Sequence, residues 1–299
     1  MTPCQAYLIP TYSCKNNANG RAESQSFLGH CMTSRLITLT TDFGGESYYV
    51  AQMKGAIYLR NPAANVIDLS HNMVPHDVPS AAYWINRATR LFPADTIHVV
   101  VIDPGVGTRR DLVYCRTKAR TFLGPDNGVL SLATQQDGVE QIVRLSNTQL
   151  FHADVSQTFH GRDILAPVAA KLSLGASPLM LGDRLDQLLE VSVARPTALS
   201  DRIQGEVVFV DRFGNLISNI SRGEIERGAA SAAAVLAIQV CGREILGFSG
   251  TYGDQRPGTL VSIFDSDGFL EIAIVQGDAA QLLSAKIGDL ITVQLGIPK

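Results

Sequence analysis

The chain has 299 residues, 45% hydrophobic and 18% charged, and its 25 Lys and Arg nearly balance 28 Asp and Glu for a formal net charge of -3. That composition excludes disorder, and the lack of any basic block argues against nucleic acid and anionic membrane as main partners. The length suits two domains, and a charged share below the usual ~25% predicts extra buried surface between subunits.

Residues 1–33 are rich in Asn, Ser, Thr and Cys, have no periodicity, and read as an unstructured extension. They lack the basic and apolar parts of a secretory signal, and no apolar run approaches the roughly 18 residues of a spanning helix, so a cytoplasmic protein is expected. The cysteines, Cys4, Cys14, Cys31, Cys115 and Cys241, form no CxxC pair and are read as reduced thiols.

From Arg35 a repeating cycle begins. A β-branched run over 36–41 precedes Asp42-Phe43-Gly44-Gly45, and Val50, Met53 and Ile57 recur at helical spacing before Asn61-Pro62. A strand over 65–69, a helix over 78–91 and an almost wholly apolar strand over 96–102 follow. Two strand candidates, 112–116 and 121–123, lead into the turn Gly124-Pro125-Asp126-Asn127-Gly128, and a helix runs over 161–174. Buried strands alternating with helices predict a mainly parallel sheet in an α/β N-terminal domain over 34–190. Residues 191–204 read as a linker. Short strands between Gly and Asp turns then predict a smaller all-β, barrel-like C-terminal domain over 205–299.

Asp42 and Asp103 both stand at strand ends, where open α/β sheets bind ligands. Asp103-Pro104-Gly105-Val106-Gly107-Thr108-Arg109-Arg110 only superficially suggests a dinucleotide loop. Arg110 occupies the third glycine's place, and a strand rather than a helix follows. Within Thr158-Phe159-His160-Gly161-Arg162-Asp163, His160 precedes a helix whose backbone donors disfavour imidazolium, leaving a neutral base. His71 and His76 are spaced wrongly for one helical face, with Pro75 between them, and no metal site is expected. In Asp211-Arg212-Phe213-Gly214-Asn215 an aromatic between a carboxylate and an amide suits a stacked base, though a β-turn reads equally well.

In order, the strings Thr41-Asp42-Phe43-Gly44, Met53-Lys54-Gly55, Ile67-Asp68-Leu69-Ser70-His71, Asp103-Pro104-Gly105-Val106-Gly107, Gly124-Pro125-Asp126-Asn127-Gly128, Phe159-His160-Gly161-Arg162-Asp163 and Phe213-Gly214-Asn215-Leu216 resemble the S-adenosyl-L-methionine (SAM) hydroxide adenosyltransferases. These SAM hydrolases are sisters of the fluorinase and chlorinase. The resemblance runs from about Leu36 to the C-terminus. It implies hydrolysis of SAM to adenosine and L-methionine, without a cofactor, in a homotrimer whose site lies between subunits.

The family's water-activating Asp, Arg and His fall on Asp103, Arg110 and His160, and their presence favours water over halide. Between His160 and Asp103, His160 is favoured as proton acceptor. By the same carry-over, Asp42 takes the ribose hydroxyls and Asp211 the methionine ammonium. Phe213 and Tyr252 sandwich the adenine, Asn215 and the backbone near Ala279 read its edge, and Ser266 touches the amino-acid end. Two positions depart from the pattern: Ser47 stands where relatives carry Asp, and His76 where they carry an apolar or aromatic residue. Asp68, His71, Asp126, Asn127, Arg162 and Asp163 are read as architectural. Three other readings remain: a SAM- or adenosine-binding module without turnover, a SAM-dependent halogenase, and a metal-dependent phosphohydrolase using Asp42, Asp68, His71, His76 and Asp103.

Overall fold

Strand β1 (Ile37–Thr41) feeds helix α1 (Tyr48–Tyr58), which starts where the Ser47 hydroxyl accepts the Tyr49 N–H. Strand β2 (Val66–Ser70) leads to helix α2 (Val78–Ala88), capped by the Asp77 carboxylate accepting from Ser80 N–H, and then to β3 (Ile97–Val101). The hairpin β4 (Leu112–Thr117) and β5 (Thr121–Pro125), helix α3 (Ser131–Asp137), strand β6 (Val139–Arg144) and helix α4 (Ala166–Ser173) complete the first half. This computed structural model describes residues 35–191, 194–231 and 235–296. The extension expected over 1–33 lies outside the described residues.

The first sheet has the order β2-β1-β3-β5-β4-β6. Pairings among β2, β1, β3 and β5 are parallel and only β4 runs against its neighbours, so the sheet is mainly parallel. From β1 the chain crosses to β2 on one side and then returns to β3 on the other. The connections therefore diverge at the carboxyl ends of β1 and β3, the usual ligand crevice of an open sheet. All of β3 is buried, and its residues alternate between two cores. Val99 and Val101 join Met53, Ile57 and the α4 residues Val168 and Leu172, whereas Val100 packs with Ala81 and Ile85 of α2.

The second half contains β7 (Thr197–Ala198), β8 (Arg202–Val210), β9 (Leu216–Ser221), α5 (Arg222–Ser231), β10 (Val235–Val240), β11 (Arg243–Ile245), β12 (Leu260–Phe264), β13 (Phe269–Ile274), α6 (Ala279–Leu283) and β14 (Leu290–Leu295). These strands form one antiparallel sheet, ordered β11-β10-β14-β8-β9-β13-β12 with β7 against β8. Ser249 N–H donates to Ser262 O at 2.9 Å, which brings the chain after β11 against β12 and nearly closes the barrel. The core inside is aliphatic: Ile203, Val207, Leu216, Ile238, Ile272 and Val293 are all buried.

Several local readings need revision. The expected 161–174 helix begins as a π turn over Gly161–Leu165. Pro167 has no N–H for the Asp163 carbonyl, which accepts from His152 N–H at 2.8 Å instead. Helix α2 ends at Ala88, short of the expected 91, with the Thr89 hydroxyl donating to Ile85 O. Within the expected linker, β7 and the start of β8 already pair. Helices α3, α5 and α6 and strands β6 and β11 were not foreseen. Cys241 is exposed at the β10–β11 turn, while Cys115 is buried.

Candidate active site

Asp42 follows β1 and Asp103 follows β3, and the parallel register Thr41↔Val101 sets them side by side. A cavity of about 250 Å³ opens there, lined by both carboxylates with His76 and His160 and walled by Phe43, Val101, Val106 and Phe159. Gly161 lets the π turn press against β3. A Cβ on it would lie 3.3 Å from Met53 Sδ and Val101 Cγ1, which seats His160 over the strand end.

The loop after Asp103 doubles back. Gly107 turns with φ +78, and a Cβ there would come within 2.6 Å of Gln157 O. Arg110 is thereby aimed at the strand end. Its Nε donates to Asp103 Oδ1 and Oδ2 at 3.0 and 2.9 Å, and its Nη2 to Oδ2 at 2.5 Å. The same Nη2 lies 2.8 Å from His160 Nδ1. Arg110 and Asp103 side chains are 9% and 6% exposed, so this fork is shielded from water.

Guanidinium has no acceptor, so His160 Nδ1 must accept, and the neutral imidazole carries its proton on Nε2. Burial, and then the Arg110 charge, hold the His160 pKa below the ordinary histidine value. The sequence also suggests a neutral histidine here, and the structure adds burial and Arg110 as causes.

Asp42 Oδ2 accepts the His76 backbone N–H at 3.1 Å, and His76 holds a left-handed φ of 65 to deliver it. Ser47 serves as the α1 cap. Asp68 pairs with Lys54 at 2.6 Å and with His71 Nε2 at 3.1 Å, while His71 Nδ1 meets Thr41 Oγ1 at 3.0 Å. Asp163 is gripped by Arg162 and accepts the Ser156 N–H. Asn127 Nδ2 donates to Ile102 O, and Asp126 accepts from Leu189 N–H. The described residues contain no group of three His, Cys, Asp or Glu arranged to hold a metal ion, and no helix among them is long and apolar enough to cross a membrane.

The C-terminal candidates form a second cluster. Asp211 Oδ1 accepts the N–H groups of Phe213 and Asn215 at 2.8 and 2.9 Å, and its Oδ2 accepts from Asn215 Nδ2 at 3.0 Å. Gly214 sits at φ +81, and a Cβ on it would strike the Asp278 carboxylate that caps α6, where Ala279 is buried. Phe213 is 77% and Tyr252 41% exposed. None of Asp211, Phe213, Asn215, Tyr252 or Ala279 lines the cavity at Asp42, and Ser266 lines another, of about 390 Å³, with Tyr83, Arg87 and Glu271. The cavity walls Phe43 and Phe159 were missed as site residues although each adjoins a candidate in sequence.

A carboxylate, an arginine and a histidine at the switch point of an α/β sheet, in a chain whose second half is an antiparallel, nearly closed barrel, define the class. The chain belongs to the SAM hydroxide adenosyltransferase family. That family's N-terminal domain matches residues 37–182 and its C-terminal domain residues 205–292. It is 37% identical to the (R)-S-adenosyl-L-methionine hydrolase of Salinispora tropica, covering 87% of this chain and 98% of that protein. It is 34% identical to the hydrolase of the same name from Thermus thermophilus, over 85% and 97% of the two chains. A fluorinase from an Actinoplanes species is more distant, at 26% identity over 86% and 97%. A crystal structure of a conserved Thermotoga maritima protein superposes with a TM-score of 0.82 at 38% identity, covering 87% of this chain and all of that one.

Proposed function

We propose that this protein hydrolyses SAM to adenosine and L-methionine by in-line attack of water on the 5′ carbon. The observation carrying this reading is one guanidinium joined at once to Asp103 and His160, both of which line the cavity that also presents Asp42. SAM's sulfonium departs as a neutral thioether, which takes no proton, so the chemistry needs no general acid, metal or cofactor. Water, with a pKa near 15.7, is the weak partner and must be oriented and deprotonated as it attacks.

In this reading Asp42 accepts the ribose hydroxyls, its carboxylate set by the His76 N–H. His160 Nε2–H donates to the attacking oxygen, and Asp103 accepts the proton on a lone pair that Arg110 leaves free. Accepting that proton at His160 would need the other tautomer, whose Nδ1–H would point at the guanidinium. The geometry thus favours Asp103 over His160 as base, the reverse of the sequence-based preference. Arg110 stays cationic and offsets the hydroxide-like charge.

The C-terminal cluster supplies the rest of the pocket from a neighbouring subunit of a homotrimer in the cytoplasm. Asp211 takes the methionine ammonium, Phe213 and Tyr252 the adenine faces, Asn215 and the Ala279 backbone its edge, and Ser266 the amino-acid end. Supporting this is the exposure of both rings away from the Asp42 cavity. Chromatography after incubation with SAM tests the function: adenosine and methionine in equal amounts are expected. A 5′-halo-5′-deoxyadenosine formed in chloride or fluoride, or SAM bound and unchanged, contradicts it.

A further inference from the structure

Tyr252 lies in a glycine-rich loop, Gly247-Phe248-Ser249-Gly250-Thr251-Tyr252-Gly253, whose short helical turn Tyr252–Asp254 buries no residue. Such a segment loses much conformational entropy when one ring must be held in one place. The start of the loop is held, with Phe248 stacked on Phe264 and Ser249 N–H on Ser262 O, but the turn that carries Tyr252 is not packed, so that ring needs a tether of its own.

The tether is on β13. Glu271 pairs in register with Ile263 and Ile217 and sits between Leu270 and Ile272 in an otherwise apolar strand, only 4% exposed. An ionisable group there costs stability relative to an apolar one unless it is bonded. Its Oε1 accepts the Tyr252 hydroxyl at 2.5 Å. Burial, with Asp211 and Asp265 nearby, pushes the Glu271 carboxyl above the usual carboxylate range, while the tyrosine bond and Arg87 oppose this. The neighbouring carboxylates are otherwise engaged: Asp265 holds Arg87 at 2.6 Å, and Asp211 is wrapped by its own turn.

We propose that Glu271 is a positioning residue of the purine pocket, fixing the Tyr252 ring through a buried hydrogen bond so that its face is preset for the adenine. This rests on the reading of Tyr252 as an adenine-stacking residue, and the test separates the two. Adenosine is titrated calorimetrically into the intact protein and its variants. Tyr252→Phe keeps the ring but frees it, and Glu271→Leu removes the acceptor. Each should weaken adenosine about 5- to 10-fold, the double variant no more than either single one, and Glu271→Gln, whose amide oxygen still accepts, should return to within about twofold.

If Tyr252→Ala leaves adenosine affinity unchanged, the stacking assignment fails and the inference with it. If Tyr252→Ala weakens binding while Tyr252→Phe does not, the stacking stands and the tether alone is overturned. Should Glu271→Leu fold poorly, the comparison of Tyr252→Phe with Tyr252→Ala still decides, because both changes are at a half-exposed ring.

Discussion

Arg110 Nη2 meets His160 Nδ1 at 2.8 Å, and a donor-only guanidinium at that nitrogen places the imidazole proton on Nε2 of a ring that lines the cavity. In the proposed reaction the histidine is therefore a donor toward the reacting oxygen, with a value separable from basicity. His160→Gln can accept from Arg110 and donate into the cavity with one amide, whereas His160→Ala can do neither. Steady-state kinetics should show kcat within about tenfold of the parent for Gln and a loss of about 10² to 10³ for Ala. Equal losses would make His160 the base.

The same contact sets a pH dependence. Burial and the Arg110 charge disfavour imidazolium, so His160 stays neutral below the ordinary histidine value of about 6.5 and takes up a proton only in more acid solution. The acid limb of kcat should have its midpoint below 6.5. Replacing Arg110 by Met removes the second cause, and the His160 imidazole resonance followed by NMR should then titrate at higher pH. An unchanged titration would separate the pair.

His76 acts on Asp42 through its backbone, not its ring. A left-handed φ of 65 is open to Gly and costly for a β-branched residue, by roughly 1–2 kcal/mol. His76→Gly should keep KM for SAM within about threefold, and His76→Val should raise it about tenfold, the equivalent of about 1.4 kcal/mol. The opposite ranking would show that the imidazole itself binds the substrate.

These relationships were legible in the sequence to different depths. Asp42, Asp103 and His160 stand at strand and helix ends that hydrophobic periodicity alone locates, but the convergence of His160 on Asp103 could be read only from the family resemblance. Arg110 was visible only as a residue that spoils a glycine motif and as a family position. Its fork depends on Gly107 turning the loop back, a tertiary event. The His160 tautomer was hidden because it depends on Arg110, fifty residues away, and the π turn because Pro167 acts through a carbonyl that His152 takes over. Helix α5 lacks a strong apolar stripe, and β6 is a polar-faced edge strand, so neither carries a clear period.

His98 tests the core beneath the site. It is 1% exposed on β3, its Nδ1 meets Thr38 Oγ1 at 2.9 Å, and burial, aided by Arg120, pushes its pKa down to about 3. The unfolded chain binds a proton near pH 6.5 while the fold does not, so stability is complete above that pH and falls as pH drops from 6.5 toward 3. His98→Gln should flatten the fall of Tm between pH 6.5 and 4. A fall equal to that of the parent would place the acid sensitivity elsewhere.

The central claim is that solvent oxygen becomes the 5′ hydroxyl of the released nucleoside. Hydrolysis of SAM in water enriched with oxygen-18, followed by mass spectrometry of both products, tests it directly. The account predicts one labelled oxygen in adenosine, located on the 5′ carbon, and none in methionine. Adenosine released without label would contradict it.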